Sequence, residues 1–359
     1  MVAFGAVDAK LTACVVLFWF CCYFIHAVLI RNQFKLRITA SSANRMIKEK
    51  GISFLAVVFC LSILYISGRY IRFRFNFSLT NVYELRNEAK ALPLPKILSY
   101  LYSLSKVCLP VIMAFYLCRK QWIRGSICFI TLLLAFGIDG AKFVLFFTIL
   151  VVIVSILPNF DMVKLNRLSL LGLTIVVFGS LLLYLLFGKL FAFSLFVRRL
   201  IFVPLRITQC YVDFFTTHTP DYFRGSFMRL FGAVTPYPDM EKMIGAVYFN
   251  APEMHANCGL VANAVANLGI SGCVIIPIIM MAVFYLLDLA GDGVDHRIYI
   301  TVVIYASQAL INSAFFTVLL THGMLVIILI LALMKKNDFP ALPFYRTRSS
   351  TLSDEAAVG

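Results

Sequence analysis

The sequence has few charged residues and lacks the short motifs of several enzyme classes. Only 14% of its 359 residues are charged. It contains no C-x-x-C, no H-E-x-x-H and no G-x-x-x-x-G-K-[ST], the signatures of redox or zinc sites, zinc proteases and phosphate-binding loops. A D-x-D pair, which would hold a divalent metal with a nucleotide diphosphate, is also missing. We therefore expect neither a metal nor a cofactor.

Apolar residues, in contrast, are abundant and lie in long runs. They make up 61% of the chain, and the mean hydropathy is +0.91, whereas soluble domains are about 45–50% apolar. Long runs, rather than alternation over about ten residues, predict an all-α polytopic transmembrane protein instead of a β-barrel. The ten cysteines fall mostly within or beside these runs, where we interpret them as small packing residues.

We predict about nine membrane spans, with a range of eight to ten, from the roughly 20 apolar residues that one span needs. The whole chain is expected to form a single integral membrane domain, and the first apolar run is expected to remain as a span. The predicted limits are 11–30, 52–68, 97–118, 126–139, 143–157, 168–192, 262–287, 298–314 and 318–334.

The distribution of Lys and Arg predicts the orientation. Basic residues are concentrated at 31–51, 119–125 and 335–336, and these positions fall on one side of the predicted spans. We place that side in the cytoplasm, together with a disordered tail at 337–359. The opposite orientation would suit the basic loop 69–96 but would expose the other three. The basic residues of loop 69–96, which this orientation places outside, would be explained if they bind an anionic substrate.

Residues 193–256 form the longest polar segment. Loops of this length are uncommon as simple connectors and are more often functional. The segment contains "TTHTPDYFRG" and "TPYPDMEK", which are rich in turn-forming residues. We expect a large external loop with short helices on the membrane face.

Two places put charge beside or within apolar runs, where it costs at least about 2.5–3.5 kcal/mol at membrane depth. In "FGIDGAKFVLFF", Asp139 and Lys142 flank a tight turn. Lys142 could meet an anionic headgroup, or the two could form a local ion pair. In "LFVRRLIFVPLR", Arg198 and Arg199 suit phosphate oxygens, although both could simply snorkel to lipid.

Two further places, the stretch "YELRNEAK" and Lys106, carry polar groups that span formation does not require. In "YELRNEAK", Tyr83, Glu84 and Arg86 are candidates for substrate binding, against the simpler interpretation of a solvated loop. Mid-span Lys106 could pair with Asp139 or line a cavity.

The stretch "MHANCGLVANAVANLGISG" leads from a loop into a predicted span. His255 and Asn257 precede the helix, and Asn263 and Asn267 are spaced to share one helical face. These side chains predict a polar pocket, although a lone loop histidine is more often solvated. Backbone amides at the helix start could also hold an anion.

Taken together, five ordered stretches resemble the bacterial O-antigen polymerases of the Wzy type. They cover about a third of the chain. The last one departs from the usual family pattern, with Asn263 and Val265 where an acidic residue and a tyrosine are usual. The stretches are "NVYELRNEAK", "FGIDGAKFVLFF", "VRRLIFVPLRITQCYVDFF", "YFRGSF" and "IGAVYFNAPEMHANCGLVANAVANLGISG".

The resemblance implies a GT-C-like glycosyltransferase of the bacterial inner membrane with its active site facing the periplasm. Donor and acceptor would both be oligosaccharide repeat units on undecaprenyl pyrophosphate. A chain-length regulator is an expected partner, and nucleic acid is not. An O-antigen ligase and a flippase or transporter of lipid-linked sugar remain as alternatives.

The implied chemistry assigns roles to the candidate residues. Charge develops on the pyrophosphate as the glycosidic bond breaks, and losing one stabilising donor costs about 2.7–4 kcal/mol. Arg198, Arg199 and Lys142 are predicted to meet this charge, with Arg86 next. The general base is left open between Glu84, Asp139 and His255.

Further substrate-binding residues complete the prediction. Tyr222 and Phe223 are expected to stack on sugars. The others are Tyr83, Arg206, Arg224, Asn257 and Asn267.

Overall fold

The computed structural model describes most of the chain, and the described part is helical and contains no strand. The tail at 337–359 and much of the loop 31–51 lie outside the described residues. Described are residues 9–31, 45–73, 85, 88–89, 91–158, 160–188, 198, 202–257 and 259–335.

Twelve α-helices are named here in chain order within this part. They are α1 Ala9–Arg31, α2 Arg45–Ile71, α3 Lys96–Cys118, α4 Trp122–Asp139, α5 Lys142–Ile156, α6 Met162–Phe187, α7 Val203–Thr217, α8 Met240–Phe249, α9 Leu260–Leu268, α10 Gly272–Gly291, α11 His296–Asn312 and α12 Met324–Met334.

Six stretches of the described residues are helical, long and apolar enough to cross a membrane. They are Ala9–Leu29, Ile47–Ile71, Lys96–Cys118, Trp122–Asp139, Met162–Phe187 and Leu260–Gly291. Two shorter apolar helices, Lys142–Ile156 and Met324–Met334, add to them. The protein is therefore a membrane-embedded polytopic helical protein, as the sequence predicted.

Within the described residues, the nine predicted spans overlap helices, and residues 189–192 of the predicted span 168–192 lie outside the described residues. Two of the predicted spans are interrupted. The segment 262–287 comprises α9 and α10, joined by the 3-10 turn Gly269–Ser271. The predicted span 318–334 is not one continuous helix. A π-helical turn, Thr317–Thr321, is followed by Gly323 at φ +75°, and α12 begins only at Met324. Because α12 has 11 residues, it extends for about 16 Å, roughly half of a hydrocarbon core.

The chain divides into two compact units. The first is drawn from Met1–Leu29, Met162–Phe284 and Ala306–His322. The second is drawn from Ile30–Asp161, Tyr285–Tyr305 and Gly323–Gly359.

Helix α3 is the core of the second unit. It packs against α2, α4, α5 and α12, and 78% of its apolar window is buried. Its small and medium apolar residues from Cys108 to Leu117 are enclosed on all sides. The corresponding buried share of α6, in the first unit, is 6%, which suits a helix that faces lipid.

Basic residues lie together at one end of the second unit. Arg119, just after α3, pairs with Glu49 at 2.5 Å. Lys335, just after α12, lies 3.6 Å from Asp292. Because Leu333 lies beside Gly51 near the start of α2, Arg119 and Lys335 share this end, which agrees with the shared side that the sequence predicts for them.

A partly buried ion pair lies at the start of α11. Arg297 pairs with Asp295 at 2.8 Å and donates a second hydrogen bond, also 2.8 Å, to the carbonyl oxygen of Ser155. Burial raises the pKa of Asp295, but the hydrogen bonds from Arg297 outweigh burial and hold this pKa below its ordinary value. The pair therefore ties the start of α11 to the end of α5.

Candidate substrate-binding site

Helix α7 is the platform of the candidate site in the first unit. Pro204 lies in its first turn, where a missing N–H does not matter. Ile207, Cys210, Tyr211 and Phe214 recur at helical spacing and are buried, and α8 and α9 pack against α7. Arg206 lies on the opposite, exposed face and donates to Gln209 at 3.0 Å.

A docked loop, residues 219–225, is hydrogen bonded to the end of α9. The N–H of Asp221 donates to the Ala266 carbonyl at 2.8 Å, and that of Tyr222 donates to the Asn267 carbonyl at 3.0 Å. The Asn267 side chain accepts from the Phe223 N–H at 2.9 Å and donates to the Asn263 carbonyl at 2.9 Å. Since Asn267 is buried and both ends of its amide are engaged, its side chain positions the loop.

The buried side chain of Asp221 stabilises a larger loop, residues 219–237, through hydrogen bonds. Its side chain is 1% exposed and accepts from the Gly225 N–H at 2.7 Å and from the Thr235 hydroxyl. The Thr235 hydroxyl oxygen in turn accepts from the Tyr237 N–H at 3.0 Å, and the Tyr237 hydroxyl donates to the Thr219 carbonyl at 2.8 Å. One buried carboxyl therefore fixes residues 219–237 as a rigid structure.

Two aromatic residues in the docked loop have left-handed backbones. Tyr222 has φ +52° and Phe223 has φ +61°, a conformation that costs about 1–3 kcal/mol at a non-glycine residue and persists only where neighbours enforce it. Phe223 is buried against Phe227 and Phe316, with ring centroids 5.4 and 4.9 Å apart, so the expectation that it stacks on a sugar is wrong. Tyr222 is 55% exposed and remains suitable for that role.

Arg224 follows these two residues and is held by the backbone. Its Nε donates to the Asp221 carbonyl at 2.8 Å, and one Nη donates to the Pro220 carbonyl at 3.3 Å. Its guanidinium lies 5.8 Å from the Tyr222 ring. A half-buried cation and an exposed aromatic ring are thus presented side by side.

A second turn, residues 250–257 (the His255 turn), lies against α8. The Ala256 N–H donates to the Glu241 carbonyl at 3.2 Å, and the buried Tyr211 hydroxyl donates to the Ala256 carbonyl at 3.0 Å. Gly245 permits this approach, because a Cβ there would lie 2.3 Å from the Met254 carbonyl oxygen. The turn is fixed to both α7 and α8.

The His255 turn places a histidine beside a carboxylate. His255 Nδ1 lies 3.5 Å from Glu241 Oε2, and the two side chains are 47% and 41% exposed. In the same turn Glu253 accepts a hydrogen bond from Lys242 at 2.9 Å. This bond lowers the pKa of Glu253 and raises that of Lys242. Asn257, two residues beyond His255, is exposed.

Three predicted charges, Lys106, Asp139 and Lys142, lie in the second unit near the turn between α4 and α5. Asp139 pairs with Lys106 of α3 at 2.5 Å, rather than with Lys142, and accepts from the Ala141 N–H at 3.0 Å. Lys106 also lies 4.4 Å from the ring of Tyr102. Of the two alternatives for Lys106, the structure shows the pairing with Asp139. Lys142 at the start of α5 is exposed.

The candidate residues are thus divided between the units. Asp139 and Lys142 belong to the second unit, and Arg198 is exposed in the first. The first unit also holds Arg206, Arg224, His255, Asn257 and Asn267. Tyr83, Glu84, Arg86 and Arg199 lie outside the described residues.

Comparisons with known proteins place the chain in no family. No protein-family model, no curated protein and no solved structure matches it. The function is therefore argued from the site geometry and from the resemblance of its short stretches.

Proposed function

We propose that the protein is an O-antigen polymerase. It is a GT-C-like glycosyltransferase with about nine spans, counted at roughly 20 residues each, in the bacterial inner membrane. It joins repeat units carried on undecaprenyl pyrophosphate at the periplasmic face. The observation that carries the proposal is the rigid segment 219–257, which presents Tyr222, Arg224 and His255 on turns fixed by buried hydrogen bonds.

The proposed reaction is a direct glycosyl transfer. A hydroxyl of the acceptor's terminal sugar attacks the donor sugar carbon that carries the pyrophosphate. The new glycosidic bond forms as the bond from that carbon to the pyrophosphate oxygen breaks. The hydroxyl proton passes to a base on the protein, and undecaprenyl pyrophosphate leaves with the bonding electron pair.

His255 is the proposed base. Asp139 is already paired with Lys106, which leaves its oxygens less accessible to a substrate. His255 is half exposed, and Glu241 at 3.5 Å from its Nδ1 would orient the ring and stabilise the imidazolium after proton transfer, so that Nε2 can accept the proton. Glu84 retains its predicted role as an alternative base.

Protein cations are the proposed stabilisers of the leaving group. Arg198, Arg206 and Lys142 are exposed, and Arg224 is half buried against carbonyl oxygens. Guanidinium groups bind phosphate oxygens bidentately, whereas ammonium acts as a point charge. Arg199 and Arg86 keep the same proposed role.

The surface polysaccharide of a strain lacking the gene tests this proposal. Loss of a polymerase leaves single repeat units on the lipid core. Loss of a ligase leaves polymer on the carrier lipid, and loss of a flippase leaves neither polymer nor single units. A full ladder of chain lengths in the deletion strain would refute the polymerase, the ligase and the flippase together.

A further inference from the structure

Residues 227–234, here called the apolar turn, expose large hydrophobic side chains outside the candidate spans. Phe231 is 78% exposed and Val234 is 84% exposed. Single exposed apolar residues are common on protein surfaces. Two of them three residues apart on one tight turn form a local apolar projection.

The apolar turn is rigid. It begins as the 3-10 helix Phe227–Phe231 and ends at Gly232 with φ +84°, whose N–H donates to the Arg229 carbonyl at 3.2 Å. Phe227 packs on Phe316, with ring centroids 4.9 Å apart. The hydrogen bonds from Gly225 and Thr235 to Asp221 close the turn at both ends. Phe231 and Val234 are therefore held outward instead of folding back onto the chain.

The base of this structure is attached to a candidate membrane span. The docked loop hydrogen bonds to Ala266 and Asn267, and both residues lie within the span Leu260–Gly291. Ile270 of the same span is 60% exposed. The apolar turn is therefore carried by a loop that is anchored to a candidate membrane span.

Charge on the turn fits an anionic lipid surface. From residue 222 to residue 238 the sequence has two arginines, Arg224 and Arg229, and no acidic residue. Arg229 is exposed between Phe227 and Phe231. An apolar projection flanked by basic residues is the pattern of segments that lie in the bilayer interface, with the rings among the acyl chains and the cations at the headgroups.

We propose that the apolar turn inserts into the bilayer interface through Phe231 and Val234, with Arg229 at the lipid headgroups. The lipid contact fixes the height of the docked loop relative to the membrane. It holds Tyr222 and Arg224 close to where a lipid-linked anionic molecule would present its headgroup. The contact with lipid does not depend on the enzymatic activity proposed above.

Fluorescence of the full-length protein in vesicles tests the contact. The chain has two tryptophans, Trp19 and Trp122, which are replaced by phenylalanine before Phe231→Trp is introduced. Glu253→Trp in the same background is the matched control, because Glu253 is an exposed acidic residue in the His255 turn. The vesicles contain phosphatidylcholine and phosphatidylglycerol, with or without brominated acyl chains.

We expect brominated lipid to quench most of the emission of Phe231→Trp. It should quench little of the emission of Glu253→Trp, which acrylamide should quench instead. Quenching of Phe231→Trp by acrylamide alone would overturn the proposal, since it would show that this side chain is in water and not in lipid. Quenching by neither agent would also overturn it, since the turn is then covered by protein. Val234→Trp repeats the test where Phe231→Trp disturbs folding.

Discussion

At the scale of single residues, two buried polar side chains position the candidate site. The buried side chains of Asp221 and Asn267 together form hydrogen bonds with four groups around the docked loop. Neither could be assigned this role from sequence. The spacing of Asn267 from Asn263 suggested a polar pocket. In the structure the Asn267 side chain instead accepts a hydrogen bond from the Phe223 N–H.

A pair of asparagine substitutions separates positioning from binding. Asn267→Ala leaves the Phe223 N–H and the Asn263 carbonyl without this partner in a buried place, so it should reduce the free energy of unfolding by about 1–3 kcal/mol. Asn257→Ala, at an exposed position, should change stability by less than about 0.5 kcal/mol. Thermal unfolding in detergent measures both, and equal effects would contradict the positioning role of Asn267.

The histidine and its neighbouring carboxylate give a second prediction at this scale. His255→Gln should lower kcat for repeat-unit transfer by about 10²–10⁴-fold, the usual contribution of a general base. Glu241→Gln should lower kcat less and leave KM nearly unchanged, because it removes only the group that orients the ring. Glu253→Gln, which breaks an exposed ion pair in the same turn, is the control and should keep full activity. Wild-type kcat in the His255 variant would exclude it as the base.

At the scale of elements, the turn between α4 and α5 is held by charge inside an apolar bundle. Lys106 lies 13 residues before Arg119, which is about 20 Å along the helix, so the Lys106–Asp139 pair is far from the basic end of the unit. The two side chains are only 20% and 16% exposed. A paired charge in this setting is expected to be costly to separate.

Neutralising each charge tests whether the pair stabilises the second unit. Lys106→Met leaves Asp139 half-buried without its cation and should destabilise the protein by about 3–5 kcal/mol. Adding Asp139→Asn should recover part of this loss, because the neutral amide can still accept from the Ala141 N–H. The measurement is the midpoint of thermal unfolding for each variant in the same detergent. A double variant that is less stable than the single one would contradict the argument.

The His255 turn depends on a close contact between two elements. In Gly245→Ala, the added methyl group would meet the Met254 carbonyl oxygen, which is backbone and cannot rotate away. The turn should move away from α8, so that activity falls even where the protein still inserts and folds. Gly172→Ala is a suitable control, because nothing lies within 4 Å of the position of its Cβ. The test compares kcat/KM for these two variants at matched expression.

The helices were predictable from sequence to different degrees. Long apolar runs predicted the membrane-embedded helices, because a span needs only length and composition, and six described stretches are long and apolar enough to cross a membrane. The break at Gly323 was missed, because a single glycine within an apolar run gives no composition signal. The roles of Glu241 and Tyr211 were also missed, since each acts on a residue at least 14 positions away, His255 and Ala256 respectively, and such contacts depend on how helices pack.

At the scale of the whole molecule, the chain combines long apolar helices such as α6 with one structured segment, residues 202–257, that lies outside the candidate spans. Helix α6 is almost wholly exposed, whereas segment 202–257 is ordered by aromatic packing, a buried carboxyl and two fixed turns. A protein that only crosses the bilayer has no need of such a segment. Its cations and exposed ring suit a large anionic substrate that arrives in the plane of the membrane.

The proposed polymerase transfers one lipid-linked repeat unit to another. The most direct measurement supplies purified full-length protein in vesicles with repeat units on undecaprenyl pyrophosphate. We predict a ladder of lengthened chains and the release of one undecaprenyl pyrophosphate for each glycosidic bond formed, both lost in His255→Gln. Movement of intact substrate across the bilayer without bond formation, or transfer only to a lipid A–core acceptor, would contradict the account.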